Sequence, residues 1–177
     1  MSAAAVQLDD ENLPAEYPLF PVGVTKLVVM SVATFGLYEI YWFYQNWRRL
    51  KSTEGLDVWP VPRAIFAGIT SFSLFGKIQE RAAREHISTT WSASTLGIAF
   101  LLLNIAARLP DPYWLVCFAS FLPLLAVQPT VDAINARSRS SEGPNTKFSG
   151  GNIAGIVVGG LLFALVILGM MMPDKPQ

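Results

Sequence analysis

Five apolar stretches, each bounded by charged or turn-forming residues, set the pattern of this chain. The first occupies residues 27–47, between Lys26 and Arg48, and is interrupted by one carboxylate, Glu39. The second, residues 64–76 between Arg63 and Lys77, is only 13 residues long. The third runs over 87–107 and opens on the polar run Ser88, Thr89 and Thr90. The fourth, 112–131, has 20 residues without a charge, and the fifth, 148–173, has 26. A helix rises about 1.5 Å per residue and the hydrocarbon core of a bilayer is roughly 30 Å thick, so about 20 residues are needed to cross. Four stretches meet that length; the second does so only if Trp59, Pro60 and Ile78 are recruited to it. The pattern therefore predicts an all-α fold, a multi-pass transmembrane helical bundle of five hydrophobic helices, four of them secure spans. A soluble helical core would show a polar face on each helix, and the fourth and fifth stretches have no charged face at all.

The flanks divide the chain. Residues 1–23 carry Asp9, Asp10, Glu11 and Glu16 with Pro14, Pro18 and Pro21, and are expected to form a flexible acidic tail without a cleavable leader. Residues 24–173 form one transmembrane helical domain, and 174–177 a short polar tail. Arg108, Leu109, Pro110, Asp111 and Pro112 make a polar turn between the third and fourth stretches, and 138–151 reads as an exposed loop rich in Ser, Gly, Pro and Asn. Tyr41, Trp42 and Trp47 near the end of the first stretch, and Tyr113 and Trp114 at the head of the fourth, are placed as interfacial anchors, because amphipathic rings settle at headgroup depth.

Overall charge adds little: 13 Lys and Arg balance 13 Asp and Glu, so no nucleic-acid partner is implied. Its distribution says more. If the second stretch does not cross, ten basic residues (Arg48, Arg49, Lys51, Arg63, Lys77, Arg81, Arg84, Arg137, Arg139, Lys147) share one side, against Lys26, Arg108 and Lys175 on the other. The positive-inside rule makes the rich side cytoplasmic and the acidic tail external. If it does cross, the split is seven to six and carries no orientation.

Candidate chemistry is sparse. Glu39 stands inside an apolar stretch, where a carboxylate is costly and marks either an ion path or a buried pair. Arg63 and Arg108 are its candidate partners, either in a structural ion pair or in a proton or cation relay. Asn104 is read as an interhelical hydrogen-bonding group, and Pro123 as a bend in the fourth helix. Gly151, Gly155 and Gly159 recur every four residues, as do Gly160 and Ala164, so the fifth stretch offers a small face for helix packing. The single Cys117 and single His86 exclude a disulfide framework and a histidine-built metal site within the chain. No nucleophile elbow, catalytic pair or phosphate loop is evident, so neither catalysis nor a cofactor is expected.

The run Thr34-Phe35-Gly36-Leu37-Tyr38-Glu39-Ile40-Tyr41-Trp42-Phe43-Tyr44-Gln45-Asn46-Trp47 resembles the signature of an uncharacterised family of bacterial multi-pass membrane proteins, known only as a domain of unknown function. Arg63 to Phe66, Leu74 to Ile78, and Phe148 to Gly155 fit the same pattern. The resemblance implies a multi-pass protein of the bacterial cytoplasmic (inner) membrane and brings no site residues. Two functional expectations stand together. One is a non-enzymatic membrane component that acts through helix–helix association, with the lipid bilayer and either a second copy or another membrane protein as partners at the glycine face. The other is a small transporter or channel with Glu39 as its relay.

Overall fold

The first apolar stretch folds into two helices rather than one. In the computed structural model, which describes residues 17–138 and 145–171, α1 (Val24–Ala33) ends at a sharp reversal and α2 (Leu37–Glu54) runs back. The reversal is a Schellman motif: the Gly36 amide donates to Ser31 O (2.9 Å) and the Phe35 amide to Val32 O (3.2 Å). Phe35 (φ 53°) and Gly36 (φ 82°) both take left-handed backbone. Thr34 ties the corner from both sides, its hydroxyl donating to Met30 O (2.6 Å) and accepting from the Tyr38 amide (2.9 Å). A ten-residue α1 is about 15 Å long, half of what a crossing requires.

α2 buries one stripe, Tyr38, Glu39, Trp42, Phe43, Asn46, Trp47 and Leu50, at the three- and four-residue spacing of an amphipathic helix. Its C-cap is Gly55 at φ 64°. A short α3 (Pro60–Ile65) starts on a proline, whose missing N–H costs nothing there, and lies along α2. One residue, Phe66, separates it from α4 (Ala67–Arg84). α4 pairs with α5 (Ala93–Ile105), with Gly97 tight against Phe72: a β-carbon there would lie 2.6 Å from the ring. A 3-10 turn (Ala106–Arg108) ends α5, and a 3-10 helix (Tyr113–Ser120) leads into α6 (Phe121–Arg137). Pro123 falls in the first turn of α6, directly after the 3-10 helix gives way to it, and Pro129 is the proline further inside the helix. Finally α7 (Gly150–Met171) packs on α1.

Two helical runs are long and apolar enough to cross a bilayer, Tyr113–Arg137 and Gly150–Gly169. Five hydrophobic helices with four secure spans are thus reduced to two clear candidates among the described residues. The first stretch is broken at Gly36, and the helices of the second and third are interrupted at Phe66 or short (Ala93–Arg108).

The core is aromatic. Phe43 packs against Phe100 (5.1 Å between ring centres) and Phe75 (5.9 Å) at tilted angles and meets Trp42 edge-on (5.4 Å), as Phe75 meets Trp91 (6.4 Å). Trp42 and Trp47 are fully buried in this core and are not interfacial anchors, because both lie on the inward stripe of α2. Tyr41 and Tyr113 remain exposed, and Trp114 is half-buried with its indole donating to Asp111 Oδ1 (2.6 Å).

Residues 17–23 do not belong to a mobile tail either. They form an extended strap with Leu19 and Val22 buried, held by side chains of α2 and α6. Asn135 Oδ1 accepts from the Leu19 amide (3.0 Å) and Asn46 Oδ1 from the Phe20 amide (3.1 Å). Gln128 donates to Val22 O (3.0 Å) and to Asp132 Oδ1 (2.9 Å), and accepts from the Trp42 indole (3.0 Å). The strap in turn holds the segment before α7: the Gly23 amide donates to Asn145 O and the Asn145 amide to Pro21 O. Lys26 Nζ closes the same joint on Asn145 Oδ1 (3.2 Å) and Lys147 O (2.6 Å). Residues 1–16, 139–144 and 172–177, with the remaining tail assignments, lie outside the described residues.

Candidate functional site

The two ends of the helical bundle differ in chemistry. At one end the C-termini of α2, α4 and α6 meet. Glu54 accepts from Arg81 (3.4 Å) and Arg84 (2.5 Å), and Arg81 also holds Glu85 (3.1 Å). Arg49 donates to Tyr17 O (2.8 Å), and burial, aided by Arg48 beside it, lowers its guanidinium below the ordinary range. Arg137 lines a cleft here with Pro18, Arg81 and Glu85. Cations at helix C-termini are favoured by the helix dipole. The sequence spacing allows two i,i+4 pairs, Glu80–Arg84 and Arg81–Glu85; the second forms, and Glu80 pairs instead with Lys77 (2.8 Å).

At the other end the corner of α1–α2, the start of α4, the end of α5 and the 3-10 helix enclose a cavity of about 330 Å³. Glu39 sits in the first turn of α2, 4% exposed, where a helix N-terminus favours negative charge. Ser120 Oγ donates to its Oε1 at 2.9 Å. Ser31, 2% exposed, also lines the cavity, and its hydroxyl has no partner among the described residues. Asn104 Nδ2 bonds back to Phe100 O (2.8 Å), so this amide donates within its own helix rather than to a neighbour. Aromatic walls complete the space: Phe118 lies 5.3 Å from Phe35 and 5.8 Å from Trp114.

Glu39 pairs with neither of its expected arginines among the described residues. α3 places Arg63 over the Trp47 ring, 4.5 Å from guanidinium to ring centre, about two turns along α2 from Glu39. Arg108 is exposed at the end of its 3-10 turn. The glycine face divides as well. Gly155 contacts Thr34 and Met30, and Gly159 is buried against the Ala33 carbonyl, so these two glycines serve packing on α1 within the chain. Gly151, Gly160 and Ala164 are exposed.

Ser120, Asn46, Gln128 and Asn135 are functional side chains that the sequence pattern does not single out. Gln128, Asp132 and Asn135 fall at four- and three-residue spacing across the end of the fourth stretch, and that spacing is the available signal. Compared with known protein families, with curated proteins and with solved structures, the chain finds no match.

Proposed function

We propose that the protein is a non-enzymatic component of the bacterial cytoplasmic membrane, embedded through its cavity end and holding its arginine-rich end in the cytoplasm. The observation that carries this reading is the segregation of the surface. Leu37, Ile65, Phe66, Ile69, Leu102 and Val116, all around the cavity end, are exposed, as are most of the large apolar residues of α7. Such a surface left in water would be a large apolar patch. The opposite end gathers Arg49, Arg81, Arg84 and Arg137, which the positive-inside rule assigns to the cytoplasm.

Depth follows from α7. Gly159, near the middle of that helix, abuts the end of α1, so the α1–α2 corner reaches about the bilayer midplane and turns back as a re-entrant hairpin. Tyr113–Arg137 and α7 then cross, and the shorter Ala93–Arg108 completes a third passage in this reading together with the polar residues that precede it. In this reading Tyr17, bonded to Arg49, lies at the cytoplasmic end, opposite to the side that charge counting alone gives residues 17–23. Helix association remains open to the uncovered Gly160–Ala164 side of α7.

Single-cysteine labelling tests the reading, after Cys117→Ser, with probes at Ser52, Ser88 and Asp111. Ser52 and Ser88 are expected to react from the cytoplasm and Asp111 from outside. Reaction of Ser52 and Ser88 from opposite sides overturns it.

The Glu39 cavity favours a second reading, a small transporter or channel with this carboxylate as relay. Proteoliposomes of the wild type should then pass protons or cations and those of Glu39→Gln should not; no wild-type flux removes this reading.

A further inference from the structure

We propose that the cavity beside Glu39 binds a small organic cation, an alkylated ammonium group. The inference rests on the second reading only in taking this cavity as a place where a ligand binds, and binding is tested below apart from flux.

Three independent features of the cavity point to such a ligand. The first is charge. The Glu39 carboxylate is 4% exposed, its hydrogen bond comes from the neutral Ser120 hydroxyl, and no ion pair reaches it among the described residues. A buried carboxylate without a countercharge is unfavourable, and a cation entering the cavity supplies one. The second is an orphan. Ser31 Oγ is buried at the cavity wall with no partner among the described residues, leaving a polar atom for a ligand to engage.

The third is the wall itself. Phe35, Phe100, Trp114 and Phe118 line the space, and aromatic faces attract alkylammonium groups through the ring quadrupole. A metal ion would need oxygens converging at about 2–2.6 Å. A cavity of about 330 Å³ with aromatic walls is instead at the small end of organic-ligand pockets. Leu37 and Ile65 also line it and are well exposed, at 67% and 62%, so its rim is apolar and suits a cation with alkyl substituents.

The test compares choline with 3,3-dimethylbutan-1-ol, the same shape with carbon in place of nitrogen, by calorimetric titration of the full chain in detergent. Wild type is expected to bind choline at least about tenfold more tightly than the alcohol, and Glu39→Gln to lose that preference. Phe118→Leu, which keeps the carboxylate, should weaken choline by about tenfold. Equal binding of the two compounds by wild type, or no choline binding up to about 10 mM, overturns the proposal whatever the variants do. Repeating the titration in nanodiscs distinguishes the source of the ammonium. At high salt, which screens the anionic surface, weaker choline binding in phosphatidylcholine than in phosphatidylglycerol assigns the site to a lipid headgroup, and equal binding assigns it to a free cation; both outcomes support an ammonium site. A failed flux assay with intact choline binding would remove transport and leave the site.

Discussion

Gly159 lies so close to the Ala33 carbonyl that any side chain at that position would overlap it. The contact joins the middle of α7 to the end of α1, and α1 is the main support α7 has in the bundle.

Gly159→Ala should therefore push α7 off α1. Overpacking costs typically about 1–3 kcal/mol, and here the obstacle is backbone, which cannot move aside as a side chain would. Gly160→Ala meets nothing within van der Waals reach and should be neutral or slightly stabilising, since alanine is the better helix former. Thermal unfolding of the two variants in detergent checks this; equal melting temperatures would contradict the packing.

A second prediction separates charge from hydrogen bonding at Glu39. Ser120→Ala removes the donor from a buried carboxyl group and should cost about 1–3 kcal/mol. Glu39→Gln keeps the shape and an acceptor for Ser120 while removing the buried charge, so it should melt at or above wild type. If Glu39→Gln were the more damaging of the two, the carboxylate would have a charged partner that the observed contacts do not contain.

How far the sequence reached is seen in α2 and its neighbours. The apolar spacing in the run 37–50 marks a helix, and it does form. The same spacing places Trp42 and Trp47 on the buried stripe, which composition alone reads as membrane anchors. Gly36 was the legible sign that 27–47 could not be one helix, but an isolated glycine within an apolar run also suits a continuous span, and only the capping bonds decide. Glu39 stood out from sequence as a costly carboxylate. Its partner did not, because Ser120 is 81 residues away and a serine in an apolar stretch carries no distinguishing pattern. The strap was hidden for a related reason: Leu19 and Val22 are too few to form a periodic signal, and their burial depends on side chains from α2 and α6.

That dependence makes the strap testable. Asn46 accepts from the Phe20 amide and donates to Trp42 O (2.9 Å), joining the strap to the core of α2. Asn46→Ala should leave a buried amide unpaired, cost about 1–3 kcal/mol, and speed hydrogen exchange at Phe20. Asn135→Ala should do the same at Leu19. Exchange at both amides as slow as in the wild type would show that the strap is held by packing alone.

The lone histidine has a structural role, and it yields the sharpest stability test. α4 ends as α1 does: the Ile87 amide donates to Ala82 O (2.8 Å) and the His86 amide to Ala83 O (3.1 Å), completing a second Schellman motif. His86 holds its left-handed position at φ 55°, with its side chain exposed. Glycine has no β-carbon to strain in that conformation, so His86→Gly should stabilise the protein by up to about 1 kcal/mol. His86→Val should destabilise it by a similar or larger amount, because a β-branched residue fits left-handed backbone poorly. Phe35, at the equivalent position of α1, behaves differently. Its ring packs on Phe118 (5.3 Å) and Phe163 (6.1 Å), so Phe35→Gly relieves the backbone while removing a contact between α1, the 3-10 helix and α7. The two glycine variants should thus move the melting temperature in opposite directions, up for His86→Gly and down for Phe35→Gly. A fall in both would mean that His86 makes a stabilising contact through its side chain.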